Sequence, residues 1–570
     1  MDRAVARGAG GFSATRFWAA GVVWGLWGAM LLGALLFVAG FGANAPWYDE
    51  WGMVVFLSGA RELDLRWLWS AHNDHRIPLP KLVLLGLYEA SGWNFRAAMF
   101  ANVLLLATAA ALLIRAAAAV RGRVALSDAL FPLLLLHVGH HQNFLWGWQV
   151  TQVIPVFLVL VILAVMVRDG LRPVPARALV CSLAVVALPL SGVPGLAYVP
   201  GLAAWLVIVG WLQWGSGARH ARLLAVGIWA CAALAVLLVP LYFIDLAPTI
   251  RATRDLLQVT VTTGLFLTQG LAPAVAGLRP WSFIVILGLG MSGAVALIAA
   301  LRSQEGRARE RAIALGLFLV GLAGLALSVG IGRPGATVFP PRYYLMAAPA
   351  LAWLYFAWGA FGRGRIAPTL RGSLVVLAAM AMVFNTMRGI EAGRARAGAF
   401  DAFAQDLQEG LPASRLIARH HRTLLPFPEA GGQYWHRELE RSFEVLRAAG
   451  IGVFGALAPE APLREVPIHA LATGRTEGAA TLWRFHRPEN VLGLRLIPAR
   501  GGEEVLPYTV LDWRSPEEEY DRHRRYHHWW YEGELEARVW IDAQVAELRI
   551  RFEEAAGFDL PRILLLLPEE

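Results

Sequence analysis

Two adjacent carboxylates stand out. The segment Asn44-Ala45-Pro46-Trp47-Tyr48-Asp49-Glu50-Trp51 sets Asp49 and Glu50 among aromatic rings directly after an apolar run. A carboxylate at such a boundary can accept the proton of an attacking hydroxyl, and partial desolvation raises its basicity. The same residues also suit a plainer role, with Trp47, Tyr48 and Trp51 as an interfacial belt and the acids marking the end of the run.

Downstream, His72-Asn73-Asp74-His75-Arg76-Ile77-Pro78-Leu79-Pro80-Lys81 is dense in donors, and Lys81 is the only lysine in the sequence. Arginine, lysine and protonated histidine bind phosphate through charge-assisted hydrogen bonds, so His72, Arg76 and Lys81 are candidates for a phosphate cradle. His72 and His75, with Asp74 between them, also leave a divalent metal open, although that spacing without a defined helix specifies no metal. A third cluster holds His137 and then His140-His141-Gln142-Asn143-Phe144-Leu145-Trp146-Gly147-Trp148-Gln149. Its polar members, His141, Gln142 and Gln149, together with Gln152, should face the bundle, because exposing them to lipid is costly. Trp146 and Trp148 have the rings to stack on sugar faces or to anchor at an interface. Finally, Gly332-Arg333-Pro334 precedes Pro340-Pro341-Arg342-Tyr343-Tyr344-Leu345, where Arg342 can grip a phosphate or reach for lipid headgroups.

These residues need elements to hold them, and composition says which. At 570 residues with 57% hydrophobic and only 16% charged side chains, the chain is too apolar for water alone. Apolar stretches of spanning length fall near 17–41, 97–118, 124–140, 149–167, 178–194, 196–214, 221–243, 281–301, 312–331, 343–361 and 372–390, about 11 spans in all. If the N-terminus is cytoplasmic, the short inner connections carry 18 positive side chains and the longer outer ones only 10, which fixes the orientation by the positive-inside rule. His72 to Lys81, the His140 cluster and Arg342 then share the outer face with Asp49. The excess of arginine favours lipid headgroups over nucleic acid as the counter-charge.

Beyond residue 390 the character changes. Residues 391–570 hold 22 arginines against 29 acids, where residues 1–390 hold 29 basic side chains against 13 acids. A helical pattern at 397–408 and period-two alternation at 535–541 and 546–552 predict a soluble α/β or β-rich extracytoplasmic domain. Its Tyr526-His527-His528-Trp529-Trp530-Tyr531 run has the aromatic density of a carbohydrate platform or of a docking surface.

An acidic pair in the first outer loop, a long loop with surface helices, many spans, a late Arg-Tyr-Tyr and a soluble C-terminal domain resemble the GT-C superfamily of polytopic membrane glycosyltransferases. The resemblance covers roughly residues 1–390. It implies a transmembrane catalytic domain over 1–390 and an extracytoplasmic domain over 391–570. It further implies inverting transfer of a sugar from a polyprenyl-phosphate donor to a glycan, lipid or protein acceptor at a bacterial inner membrane, in cell-envelope glycan biosynthesis. In that family the first-loop acid is the base or the acceptor's anchor, which points to Asp49 with Glu50 beside it, and a late-loop arginine grips the lipid phosphate, which points to Arg342. Asp74, His75, His141, Gln142, Trp146, Gln149 and Tyr343 complete the expected substrate-binding set. No cofactor is required by this reading, and a divalent metal stays possible. The departures are the Asp-Glu pair followed directly by Trp and the histidine-rich elements, and they leave donor and acceptor open. A transporter or lipid-linked sugar flippase is the alternative from another class, for which the interrupted stretch Pro189–Pro200 would be the broken helix. A non-catalytic glycan-assembly protein is a third.

Overall fold

The computed structural model describes residues 3–569 except 74, 247–252, 254, 275–277, 279–280, 304, 334, 337, 363–364, 426–432, 461, 478–479, 499–507, 521–524, 529–535 and 553–560. The chain divides into two compact units. The first comprises Met1–Ala43 and Leu63–Ala395, the second Asn44–Glu62 and Arg396–Glu570.

In chain order the helices are α1 (Arg3–Phe41), α2 (Trp51–Leu57), α3 (Leu65–Trp69), α4 (Pro78–Ala90), α5 (Arg96–Arg121), α6 (Leu130–Leu135), α7 (His141–Leu145), α8 (Val150–Asp169), α9 (Pro175–Ala187), α10 (Val193–Leu196), α11 (Val199–Trp214), α12 (Arg219–Phe243), α13 (Leu256–Thr268), α14 (Trp281–Ser303), α15 (Gly306–Gly332), α16 (Tyr344–Phe361), α17 (Ile366–Gln408), α18 (Ala413–Leu424) and α19 (Gln433–Ala448). A short hairpin of β1 (Ala71–His72) and β2 (His75–Arg76) lies in the first unit. The second unit holds β3 (Leu463–Pro467), β4 (Ala472–Glu477), β5 (Ala480–Ile497), β6 (Thr509–Arg514), β7 (Arg525–His528), β8 (Ala537–Phe552) and β9 (Arg562–Pro568).

Among the described residues eight helices are long and apolar enough to cross a membrane, and α9, α11 and the Leu256–Leu271 segment are shorter apolar helices. The protein is therefore a mostly helical, multi-pass membrane protein with a C-terminal sheet. Burial separates centre from rim. The apolar windows that contain α8 and α16 are 78% buried, whereas those of α1, α12, α14 and α17 are 17–22% buried and present their side chains to lipid. Close approaches at small residues tighten the centre. A Cβ on Gly201 of α11 would stand 2.2 Å from the carbonyl oxygen of Leu317 in α15, so only glycine fits there. One fully buried carboxylate is held by three hydrogen bonds. Arg121 donates to both carboxylate oxygens of the fully buried Asp128 at 2.7 and 2.6 Å, and the Tyr355 hydroxyl donates to the same carboxylate at 2.5 Å.

The expected span over 124–140 is instead a series of short pieces. A 3-10 turn (Leu126–Ala129) leads into the six-residue α6, and His137 is extended before another turn at Val138–His140. Apolar content alone hid this break. Irregular backbone inside a membrane protein is tolerated where protein surrounds it, and Leu133 to His137 are all buried.

In the second unit, the strands expected at 535–541 and 546–552 form the single strand β8. Its pairing with β5 shifts register between Arg484 and Glu489 and again between Val491 and Gly493. The sheet is antiparallel, in the order β3-β9-β5-β8-β6-β7 with β4 also on β5. One face carries the core, including Leu494, Leu511, Ile550 and Leu565.

Candidate functional site

The donor-rich segment builds the β1–β2 hairpin. Asn73 takes a positive φ of 50° at its turn, and His72 pairs with His75 across it. Arg76 then fixes the hairpin to the end of α12. Its backbone N–H donates to the Tyr242 hydroxyl at 3.0 Å, and its guanidinium donates to the carbonyls of Tyr242 at 2.9 Å, of Trp69 at 2.6 Å and of Ile244. Lys81 is 3% exposed. Its ammonium donates to the Trp67 carbonyl at 2.7 Å and to the carbonyl and hydroxyl of Ser70 at 3.0 and 3.1 Å, and it lies 4.7 Å from the Trp67 ring. Burial, and secondarily the charge of Arg76, push Lys81 down to about 8. Lys81 and three of the five N–H donors of Arg76 are thus engaged within the protein, and both side chains hold the loop.

What this anchoring positions is a cavity of about 380 Å³. The hairpin contributes His75, α8 contributes Gln152, and the α15–α16 connection contributes Arg333 and Tyr343. Val193, Pro194, Phe243, Leu325, Val329 and Met346 supply apolar walls. Arg333 donates from Nε to the Tyr343 hydroxyl at 3.0 Å. The guanidinium carbons of Arg333 and Arg342 stand 5.9 and 5.8 Å from that same ring, so two cations flank one phenol. Among the described residues neither arginine pairs with a carboxylate. Of the two, Arg333 is the one that lines the cavity, and a cation over apolar walls suits an amphiphile with an anionic head.

The neighbouring cluster holds the backbone of Arg342. Gln142 accepts the Arg342 backbone N–H at 3.2 Å, and Asn143 donates to the Arg342 carbonyl at 3.4 Å. His141 meets the Gly139 carbonyl at 3.2 Å through Nδ1. Gln149 is buried at 2% exposure. Trp146 and Trp148 are only 3% and 6% exposed, and Trp148 packs on the His72 ring with centroids 4.6 Å apart. Trp146 is thus a core residue and not an open platform for a sugar. A second hollow of about 410 Å³, between α1 and α17, is apolar apart from His137 and Thr386.

Asp49 and Glu50 belong to the second unit. They form a 3-10 turn after Tyr48, which takes a φ of 57°. Glu50 is fully buried and accepts the Trp47 backbone N–H at 3.0 Å, a cap on its own turn. The Arg396 guanidinium stacks 3.7 Å from the Trp47 ring centroid. Trp51, also fully buried, packs on Phe443 and Phe454 at 5.5 and 6.1 Å, and donates to the Leu424 carbonyl at 3.3 Å. Glu50 and Trp51 thus both take part in the packing of their own unit. Asp49 is half-buried.

Asp74 and the Trp529-Trp530-Tyr531 part of the aromatic run lie outside the described residues. Among the described residues no three His, Cys, Asp or Glu side chains are grouped to hold a metal. Arg333 and Gln152 are the cavity residues that the expected set leaves out. Both stand in stretches that the sequence marks as polar at helix ends, and that was their signal. No protein-family model matches the chain, and comparison with curated proteins returns none that is similar to it.

Proposed function

We propose that this protein is a membrane glycosyltransferase that moves a sugar, with inversion, from a polyprenyl-phosphate donor to a glycan, lipid or protein acceptor. The observation that carries the reading is the cavity whose apolar walls end in Arg333, His75, Gln152 and Tyr343. A prenyl chain matches the walls, and a phosphate matches Arg333 beside Tyr343. As the acceptor oxygen forms its bond to the anomeric carbon, a carboxylate base accepts its proton, the role that the family resemblance gives to the first-loop acid and for which Asp49 is the candidate. The bond from that carbon to the phosphate oxygen breaks, and the electron pair leaves with the lipid phosphate, whose charge Arg342 and Arg333 stabilise. The arginine bias of the connections supports an N-terminus in the cytoplasm of a bacterial cell and sugar transfer on the opposite face.

The test is transfer by the purified protein in lipid nanodiscs supplied with mixed polyprenyl-phosphate sugars. Asp49→Asn is expected to lower kcat by about 10²–10⁴-fold, the range of general base catalysis. Arg333→Ala and Arg342→Ala are expected to raise the donor KM by roughly tenfold each, the loss of one charge-assisted contact. Undiminished transfer by Asp49→Asn removes that residue as the base.

One observation favours a second reading. The stretch from α9 to α11 is interrupted by a 3-10 turn at Pro189–Ser191 and by Gly192, and Val193 and Pro194 beyond the break line the cavity. Discontinuous helices at a binding cavity are the mark of transporters. Movement of a lipid-linked sugar across the bilayer without transfer would select that reading.

A further inference from the structure

The sheet of the second unit has two unlike faces where β4, β5, β8, β6 and β7 lie side by side. Trp483, Leu511, Trp513, Tyr526, Leu548 and Ile550 belong to the core. The alternate residues point the other way, because side chains at paired positions share a face. There, Thr473, Arg484, Glu547 and Arg514 form one row across the strands, and Arg475, Leu482, Arg549, Asp512 and Arg525 form the next. A third row carries Glu477, Ala480, Arg551 and Val510.

Six arginines thus share this face with three acids. Asp512 is 1% exposed and lies within 2.5, 2.9 and 3.0 Å of Arg525, Arg549 and Arg551. Glu547 is held between Arg514 at 2.7 Å and Arg484 at 2.9 Å, and Arg475 meets Glu477 at 3.3 Å. The hydrogen bond from Arg514 outweighs burial and holds Glu547 at about 2, so its carboxylate is fully ionised and the charge count stands. Among the described residues of these rows three positive charges remain in excess, in a domain that is acidic in sum. The arginines are open to solvent to differing degrees, from 29% for Arg514 to 72% for Arg484 and 82% for Arg475.

We infer that this arginine lattice docks on the phosphate headgroups of anionic lipids. Strands about 4.8 Å apart and same-face residues about 7 Å apart along each strand present a grid of guanidinium forks, and such forks match phosphate oxygens two at a time. A sugar-binding face would offer open aromatic planes. The one described ring at this face, Tyr520, is covered by Arg549 at 4.3 Å from its centroid. Proximity favours lipid as well. The chain enters the second unit directly after α1 and again within α17, both of spanning length. Contact with the bilayer is then intramolecular and needs little affinity per site.

Arginine footprinting with a dicarbonyl reagent and mass spectrometry tests this on the full-length protein in nanodiscs. Modification of Arg475, Arg484 and Arg551 is expected to slow severalfold in phosphatidylglycerol discs relative to phosphatidylcholine discs. Molar salt should restore the rates, and Arg464, exposed on β3, should be unaffected. Arg475→Gln with Arg484→Gln, both at exposed positions, should weaken the protection of Arg551 without lowering the melting temperature. Equal rates in the two lipids overturn the inference. So does protection that appears only when a soluble anionic polysaccharide is added to phosphatidylcholine discs, which would make the partner a glycan.

Discussion

Lys81 and Arg76 show how little a residue's type says about its partners. Both are cations in a donor-rich loop, and the sequence makes them phosphate ligands. Their acceptors are main-chain carbonyls, and for Arg76 two of these, Tyr242 and Ile244, lie more than 160 residues away in sequence. No local pattern reports a carbonyl's direction. Arg342 and Arg333 differ in that, among the described residues, neither pairs with a carboxylate. The burial of Lys81 has a measurable sign. Unfolded, the amine keeps its proton up to about 10.5, and folded it releases it near 8. Between those values the unfolded chain binds more protons, so stability rises with pH across the window, and the cost of the buried cation is felt in full below about 8. Thermal unfolding in detergent from neutral pH to 10.5 should show that rise in the native protein and lose it in Lys81→Met. Parallel curves would contradict it.

At the scale of elements, long apolar helices were the most legible feature, since eight of the expected spans correspond to helices of crossing length. Breaks were less legible. The 124–140 segment fails as a span because His137 and Gly139 redirect the chain inside the protein, where lipid does not enforce a continuous helix. The α9–α11 interruption was visible from its prolines and glycines, and here a backbone requirement explains one of them. Gly192 has a φ of 103°, and a Cβ there would meet Ile77 Cγ2 at 3.3 Å. Gly192→Ala is expected to cost about 1–3 kcal/mol through backbone strain, to lower the melting temperature, and to raise the donor KM through Val193 and Pro194 in the cavity wall. Gly217→Ala is the control, with a φ of 79° and open space around its Cβ. It should destabilise without changing the KM.

For the whole molecule, charge and pattern place a change of character near residue 390, and the second unit comprises Arg396–Glu570 together with Asn44–Glu62. What the sequence concealed is that this unit is discontinuous. The Asn44–Glu62 stretch reads as a boundary loop, yet Trp51 completes an aromatic cluster with Phe443 and Phe454, and Trp47 donates to the Thr423 carbonyl at 2.8 Å. A fragment of residues 396–570 alone lacks that piece. It is expected to be poorly soluble and to bind hydrophobic dyes, and joining residues 44–62 to it through a flexible linker should restore a cooperative melt. A soluble, cooperatively folding 396–570 fragment would show that the segment is dispensable. The arrangement also sets a schedule for biogenesis. The ribosome delivers Trp51 and its apolar neighbours early, but their partners emerge only after Leu63–Ala395 has been made. At roughly 5–20 residues per second that is a wait of the order of half a minute. During that interval a sticky strip of nascent chain stands exposed beside the translocation machinery, and a chaperone or the lipid surface must shield it until translation is nearly finished.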